Sequence, residues 1–369
     1  MTDTTVAAGL TVQQWDDKFF KEYFQENRFR SDMGTSSNSI IQVKEDLSKK
    51  KGDSITYALV NRLTGAGVTG SNTLENNEEA LDSRSFPLTI TQRRHAVRVS
   101  EYDEQLSAIS LRKAARECLM DWAQENTRDR IIAALQSING VAYGSATATE
   151  LDAWLDDNVD RCTFGGLTTN LSTSAPAGGA TYDHSASLAT VDGTTDVLTP
   201  GKVSVMKRMA LQASPKIRPL RSETTGRRYY CLYLTSNTFR DLAEDSTMVQ
   251  AQRDVSLRMQ NEKLFKGGDL EWDGVIIKEI DDIPTYASGA GSILIAPAFL
   301  CGAQAVGYGV SSRWSSRTED FDYGDKKGVA IREFGNFAKL RFGTHATVDT
   351  TTPKDHGVVT GWFAAEADA

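Results

Sequence analysis

The chain has 369 residues, 40% of them hydrophobic and 24% charged, with a net charge of −8. That is a globular composition with enough chain for two cores, and its acidic balance argues against an outer surface built as a nucleic-acid groove. No apolar run approaches the ~20 residues that cross a bilayer, so no membrane partner is expected.

The N-terminal stretch from Met1 to Leu10 lacks a basic region, so no secretory signal is expected there. Cys118, Cys162, Cys231 and Cys301 have no paired spacing, which speaks against a disulfide framework or a zinc site and for a reducing cytoplasm. Residues 11 to 28 place Trp15, Phe19, Phe20, Tyr23 and Phe24 among charges, and this spacing predicts a short amphipathic helix with an aromatic face. A packing latch is the simplest role for such a face. Residues 29 to 45, rich in Ser, Asn and Arg, read as an extended arm.

The stretch from Gly52 to Leu135 organises the rest. Asp53 to Leu63 alternates, with Ile55, Tyr57, Leu59 and Leu63 on one face, and predicts a strand. The return strand is expected over Phe86 to Ser100, with a change of phase near Arg93 that predicts a bulge or bend. An isolated two-stranded ribbon is marginal in water. This one therefore packs on its own domain or takes its surface from another subunit. A long helix follows over Gln105 to Gln136, with an apolar stripe through Ile109, Leu111, Ala115, Cys118, Leu119 and Trp122. A helix of that length spans about 45 Å. Glu117, Asp121, Glu125 and Asp129 recur every fourth residue, and like charges so spaced repel by a few tenths of a kcal/mol. This edge is either a solvated face or one that awaits cations from another element.

Between Gly140 and Pro200 eight acids face Arg161 alone, and the low hydrophobicity reads as surface loop apart from a short helix at Thr149 to Asp157. The next stretch reverses sign: Lys202, Lys207, Arg208, Lys216, Arg218, Arg221, Arg227 and Arg228 face only Glu223. Intrachain neutralisation is the plain reading; contact with a neighbouring copy or packaged nucleic acid is the sharper one. Beyond it, strands are expected at Tyr229 to Thr235, Gly274 to Ile280, Ser292 to Ala296, Val329 to Glu333 and Phe337 to Phe342. Helices are expected at Ser236 to Glu244, capped by Ser236 or Asn237, at Thr247 to Met259 and at Pro297 to Val306.

No residue pattern in the chain marks catalytic chemistry. Gly65, Gly67 and Gly70 form a literal GxGxxG after a strand, but a dinucleotide site needs a buried parallel strand before it and an apolar helix after it. Glu75, Glu78 and Glu79 would repel a pyrophosphate, and glycines that let a ribbon tip turn account better for the motif. The four histidines, His95, His184, His345 and His356, have no metal-like spacing. No serine sits in a nucleophile elbow, and Cys118 is expected to be a buried, inert thiol. No catalytic residue, cofactor or metal ligand is assigned.

Four blocks carry a resemblance: Lys51-Gly-Asp-Ser-Ile-Thr-Tyr57, Leu63-Thr-Gly-Ala-Gly-Val-Thr-Gly70, Thr73-Leu-Glu-Asn-Asn-Glu-Glu-Ala-Leu81 and Gln92-Arg-Arg-His-Ala-Val-Arg-Val99. Together with Leu264-Phe-Lys-Gly267, Trp272 to Glu279, Leu300 to Ala305 and Phe321-Asp-Tyr-Gly324, they resemble the major capsid proteins of tailed bacteriophages, nearest the podovirus-type branch, over residues 40 to 362. The resemblance implies an α+β fold of the Hong Kong 97 type. It would comprise an N-terminal arm (1–45), an extended β-hairpin loop (46–104), a peripheral domain with a spine helix (105–142 and 311–348) and a mixed α/β axial domain (143–310 and 349–369). Residues 143–200 depart from the family pattern as a candidate surface insertion. The implied function is a coat protein, not an enzyme, self-assembling as hexamers and pentamers into the icosahedral shell around phage double-stranded DNA. Portal and scaffold or decoration proteins are implied partners, with contact to packaged DNA and assembly in the host bacterial cytoplasm. The inter-subunit contact candidates are Trp15, Phe19, Tyr23, Gly65, Gly67, Gly70, Glu75, Glu78, Glu79, Arg93, Arg94, Glu117, Asp121, Arg218 and Arg221. The alternatives are another virion or soluble binding protein using the hairpin as an arm and, more remotely, a dinucleotide-binding enzyme.

Overall fold

The computed structural model describes residues 27–45, 52–60, 63, 65, 67–70, 73–79, 83–107, 109–167, 170–222, 226–258, 269–343 and 353–365. The contacts divide them into two units, one including Thr91–Thr127 and Ser312–Gly335, the other including Arg28–Ile90, Arg128–Ser311 and Asn336–Ala369.

The larger unit is built on a mixed eight-stranded sheet. Its main path runs Cys162–Phe164, Val358–Ala364, Leu294–Cys301, Arg228–Leu234, Val275–Glu279, Leu270–Trp272. Every residue of Val358–Ala364 is buried, so this strand is covered on both faces and reads as a continuous apolar run without alternation. On one face Leu232, Leu234, Ile277, Leu300 and Phe363 pack with Val203, Met206 and Ala210 of the helix Pro200–Gln212 and with Leu242 of Ser236–Glu244. On the other, Cys231, Tyr233, Phe299 and Cys301 meet Phe29, Ile40, Ile41, Ile131, Ile132 and Leu135.

Three expectations change here. Residues 29 to 45 are not an extended arm, because Phe29, Ile40 and Ile41 are core residues and Ile41–Lys44 pairs in parallel with Val306 to Gly309. Pro297 to Val306 is not a helix, because Leu294–Cys301 is a central strand. Pro297 is tolerated there because the neighbouring strand pairs only with Phe299 to Cys301, so the missing N–H lies beyond that ladder. Residues 139 to 200 are not mere surface loop, because Trp154, Leu155, Phe164, Leu188 and Val191 are buried with Ile295 and Trp362. The larger apolar residues of that stretch are scattered along the chain but converge in space. The helix there, Ala148–Asp157, begins at a capping box in which Thr147 and Glu150 satisfy each other's backbone N–H groups.

The helices Ser236–Glu244 and Ser246–Arg258 form as expected. The first is capped at Thr235, whose side chain makes no capping bond, rather than at Ser236 or Asn237.

The hairpin belongs to the larger unit. Ser54–Val60 pairs antiparallel with Ser83–Thr89, from Ser54 opposite Thr89 to Val60 opposite Ser83. Ile55, Tyr57 and Leu88 are buried with Leu340 and Phe342. A Cβ at Gly307 would lie 2.9 Å from the Tyr57 ring, so the glycine lets the ring approach the backbone. The Tyr57 hydroxyl donates to the Gln42 carbonyl at 3.2 Å. The return strand ends at Thr89, where the expected phase change proves to be a change of sheet. After Ile90, whose N–H closes on the Asp53 carbonyl at 2.8 Å, Gln92–Ser100 pairs instead with the strand Lys326–Lys339.

In the smaller unit, Val97, Val329 and Ile331 face Leu119, Trp122 and Ala123 of the long helix. That helix is Leu111–Gln136, not Gln105 onward. Glu101–Leu106 is a separate turn of helix, and Ser107 Oγ accepts the Ile109 N–H at 3.2 Å between them. Cys118 is exposed rather than buried, because the buried stripe runs through Ala115, Leu119 and Ala123 and leaves residue 118 on its flank.

Candidate assembly interface

The hairpin has two different ends. Its base is anchored in its own unit, whereas Val60, Leu63 and Leu74 in its distal part are 58%, 57% and 63% exposed. Exposed large aliphatic residues gathered on one protrusion mark a surface meant to be covered. Gly67 and Gly70 have φ of +71° and +73°, a left-handed backbone that a side chain would strain. The Gly65 N–H donates to Glu79 Oε2 at 2.7 Å, bracing the two limbs. Asn76 is also left-handed, and the Asn77 N–H closes the turn on the Leu74 carbonyl at 3.0 Å. This turn displays Glu75 and Glu78 to solvent. No helix follows the glycines among the described residues, so the GxGxxG motif lacks the geometry a pyrophosphate needs.

Arg93 and Arg94 lie exposed on the strand Gln92–Ser100, which ends its sheet. Glu117 and Asp121 are half-buried on the long helix. Arg218 and Arg221, the latter in the short strand Leu220–Arg221, are exposed on a segment held by backbone contacts: the Ala303 N–H donates to the Arg218 carbonyl at 2.8 Å, and Asn38 brackets the Arg221 backbone at 2.6 and 2.8 Å. The structure thus gathers Gly65, Gly67, Gly70, Glu75, Glu78 and Glu79 on one tip and Arg93 with Arg94 on one edge. Trp15, Phe19 and Tyr23 fall outside the described residues.

The acidic stretch serves a purpose its composition does not reveal. Asp152 accepts the backbone N–H groups of Ala177 and His184 at 2.8 and 2.7 Å, and Asp156 those of Thr181 and Tyr182 at 2.6 and 3.0 Å. Asp192 accepts those of Thr194 and Thr195 at 2.8 and 2.6 Å, and these bonds hold its carboxyl below the usual range. The carboxylates therefore staple loops. Lys202 reaches Asp196 at 3.8 Å, but Lys207 of the same basic run goes to Asp273 at 2.8 Å. A signal for this role exists in the pairing of Asp with Gly, Ser and Thr, which favours local side-chain-to-backbone bonds.

Sequence reasoning also missed Arg332, which lies directly opposite Arg94 in the ladder. It missed Tyr323 as well, fully exposed at the left-handed turn after Val306–Phe321. Both depend on strand register, which no local pattern supplies.

A mixed central sheet, a long helix and a hairpin with an uncovered apolar end define an α+β fold of the Hong Kong 97 capsid type. The chain belongs to the phage capsid protein family, whose family model matches residues 3–365. It is 27% identical over 379 residues to the major capsid protein of Pseudomonas phage KPP25, with 97% of each chain covered. It is also similar to the chain in the capsid asymmetric unit of cyanophage Pam1, with 31% identity, a TM-score of 0.86 and 100% of both chains covered. The capsid of Ralstonia phage GP4 shares the fold at 21% identity and a TM-score of 0.76, again over 100% of both chains. The protein is accordingly a structural coat protein of a phage head.

Proposed function

We propose that this chain is the major subunit of an icosahedral head enclosing phage double-stranded DNA, and that it assembles as hexamers and pentamers in the host cytoplasm with portal and scaffold or decoration proteins. The observation that carries this reading is the hairpin, anchored at Tyr57 and uncovered at Val60, Leu63 and Leu74. A protrusion with that distribution is complete only when another molecule covers its tip. Contacts between copies related by rotation are heterologous and close into rings or, with curvature, shells. Several modest contacts per subunit then make a firm assembly.

In this reading the arm expected over residues 1–45 is built into the core from Phe29 onward, and 46–104 form the extended loop. Residues 105–142 and 311–348 form the peripheral domain, and 143–310 with 349–369 the axial domain. Residues 143–200 are an insertion whose apolar residues pack with Ile295 and Trp362. The contact residues are those of the arm face, the hairpin tip, Arg93 and Arg94, Glu117 and Asp121, and Arg218 and Arg221. The test is to express the chain alone and with its scaffold, then examine it by sedimentation and electron microscopy. Shells or rings are expected. Material that stays monomeric in both settings overturns the reading.

A further inference from the structure

We propose that Arg94 and Arg332 form a carboxylate-binding site that takes Glu75 and Glu78 from the hairpin tip of a second copy of this chain. This rests on the shell reading above and gives one of its contacts a chemistry.

Among the described residues the strand Gln92–Ser100 is the last in its sheet, so one row of its backbone N–H and C=O groups has no partner strand there. On its paired side the register sets Arg94 opposite Arg332. Like charges directly across a ladder repel, and a fold keeps such a pair where something anionic comes to it. Arg332 stacks over the Phe334 ring at 5.4 Å, and its Nε is buried without a hydrogen-bond partner. Side chains alternate across a strand, so the face that carries Arg94 and Arg332 also carries Ala96, Arg98, Lys326, Gly328 and Ala330. Val97, Val329 and Ile331 point the other way, against the long helix. Glu333, opposite Arg93, belongs to that other face. These two strands thus present three guanidiniums on one face and no carboxylate. Lys326, the fourth cation, is already paired with Asp322 at 2.7 Å.

The complement is on the hairpin tip. Glu79 is occupied in bracing Gly65, but Glu75 and Glu78 are exposed on a closed turn, beside Leu74 at 63% exposure. Planar guanidinium pairs match carboxylates in geometry as well as charge. Two carboxylates on a braced turn therefore lose little freedom when they dock, and the basic face needs them.

Charge reversal tests the pairing, with assembly concentration and subunit melting read separately. Arg94→Glu replaces a repelling cross-strand pair by an attracting one, so the melting temperature of the unassembled subunit should not fall. The concentration needed for assembly should nonetheless rise about tenfold. Arg94→Gln, which removes charge without reversing it, should give a smaller rise. Arg94→Glu with Arg332→Met, and separately Glu75→Lys with Glu78→Lys, should each weaken assembly about tenfold, and all four together should return to within about threefold of wild type. If the arginine variants assemble as wild type does, the arginines only guard a bare sheet edge against aggregation and the proposal is wrong. If the fourfold variant is no better than its parents, tip and edge are not partners, and it is equally wrong. A wild-type chain that makes no shells under the same conditions removes the shell reading itself, a separate outcome.

Discussion

Lys339 and Asp355 form an ion pair deep in the larger unit, Nζ to Oδ2 2.6 Å, with side chains 3% and 2% exposed. Trp154 Nε1 donates to the same carboxylate oxygen at 3.2 Å, and the Lys339 ammonium lies 5.4 Å from the centre of the Trp154 ring. The Asp355 N–H donates to Asn158 Oδ1 at 2.9 Å, and Arg161 donates to the Asp355 carbonyl. This cluster ties the short strand Lys354–Asp355 to the helix Ala148–Asp157.

Removing one member of a buried pair strands the other charge without solvent. Asp355→Leu or Lys339→Met alone should each cost the unassembled subunit about 3–5 kcal/mol in urea unfolding. The double variant should cost clearly less than the sum, because neither charge is left behind. Additive losses would show that the two groups do not act as a pair.

His184 is fully buried, ringed by Tyr143, Trp154, Phe164 and Trp362, and neither of its ring nitrogens has a hydrogen-bond partner. Burial pushes it down to about 4, and burial likewise pushes His356 down to about 4. The unfolded chain, with histidines near 6.5, takes up protons first as pH falls. Stability is therefore full above about pH 6.5 and declines toward pH 4, by up to about 1.4 kcal/mol per pH unit for each histidine. His184→Phe should roughly halve that slope without loss of stability at pH 7, since an apolar ring replaces two unpaired nitrogens. Melting profiles at pH 7, 6 and 5 check this; an unchanged slope would place the pH sensitivity elsewhere.

Gly307 lies under the hairpin base, where a Cβ would sit 2.9 Å from both Tyr57 and Leu340. Gly307→Val should overpack this seat and lower subunit stability by about 1–3 kcal/mol. Tyr57→Leu in the same chain should relieve part of that loss by making room for the methyl groups. A Gly307→Val subunit as stable as wild type would mean the base is not rigidly seated.

Shortening residues 65 to 82 removes the tip and leaves the anchored base. The subunit should fold and melt as wild type, because Ile55, Tyr57 and Leu88 keep their partners, but shells should form poorly. Normal shells from the shortened chain would show that the tip bears no assembly contact.

Much of the fold is legible in local pattern. The alternation of Ile55, Tyr57 and Leu59 names the hairpin's inner face, and of the stripe expected on the long helix Ala115, Leu119 and Trp122 turn inward while Cys118 does not. Where pattern misleads, a tertiary reason can be named. Pro297 to Val306 looks helical because a strand covered on both faces shows no alternation. The return strand looks continuous to Ser100 because changing sheets at Ile90 needs no breaker residue.

Local pattern alone establishes a two-part α+β protein with a long ribbon and a long helix. Its ordered motifs carried the resemblance to phage coat proteins. These are properties of periodicity and composition, which each segment expresses on its own. It takes the packed chain to show that the ribbon is anchored at Tyr57 and bare at Leu74, that the acids near residue 190 staple loops, and that Arg94 faces Arg332. Each depends on register between segments far apart in the chain, and in a ladder a slip of one residue reverses every face.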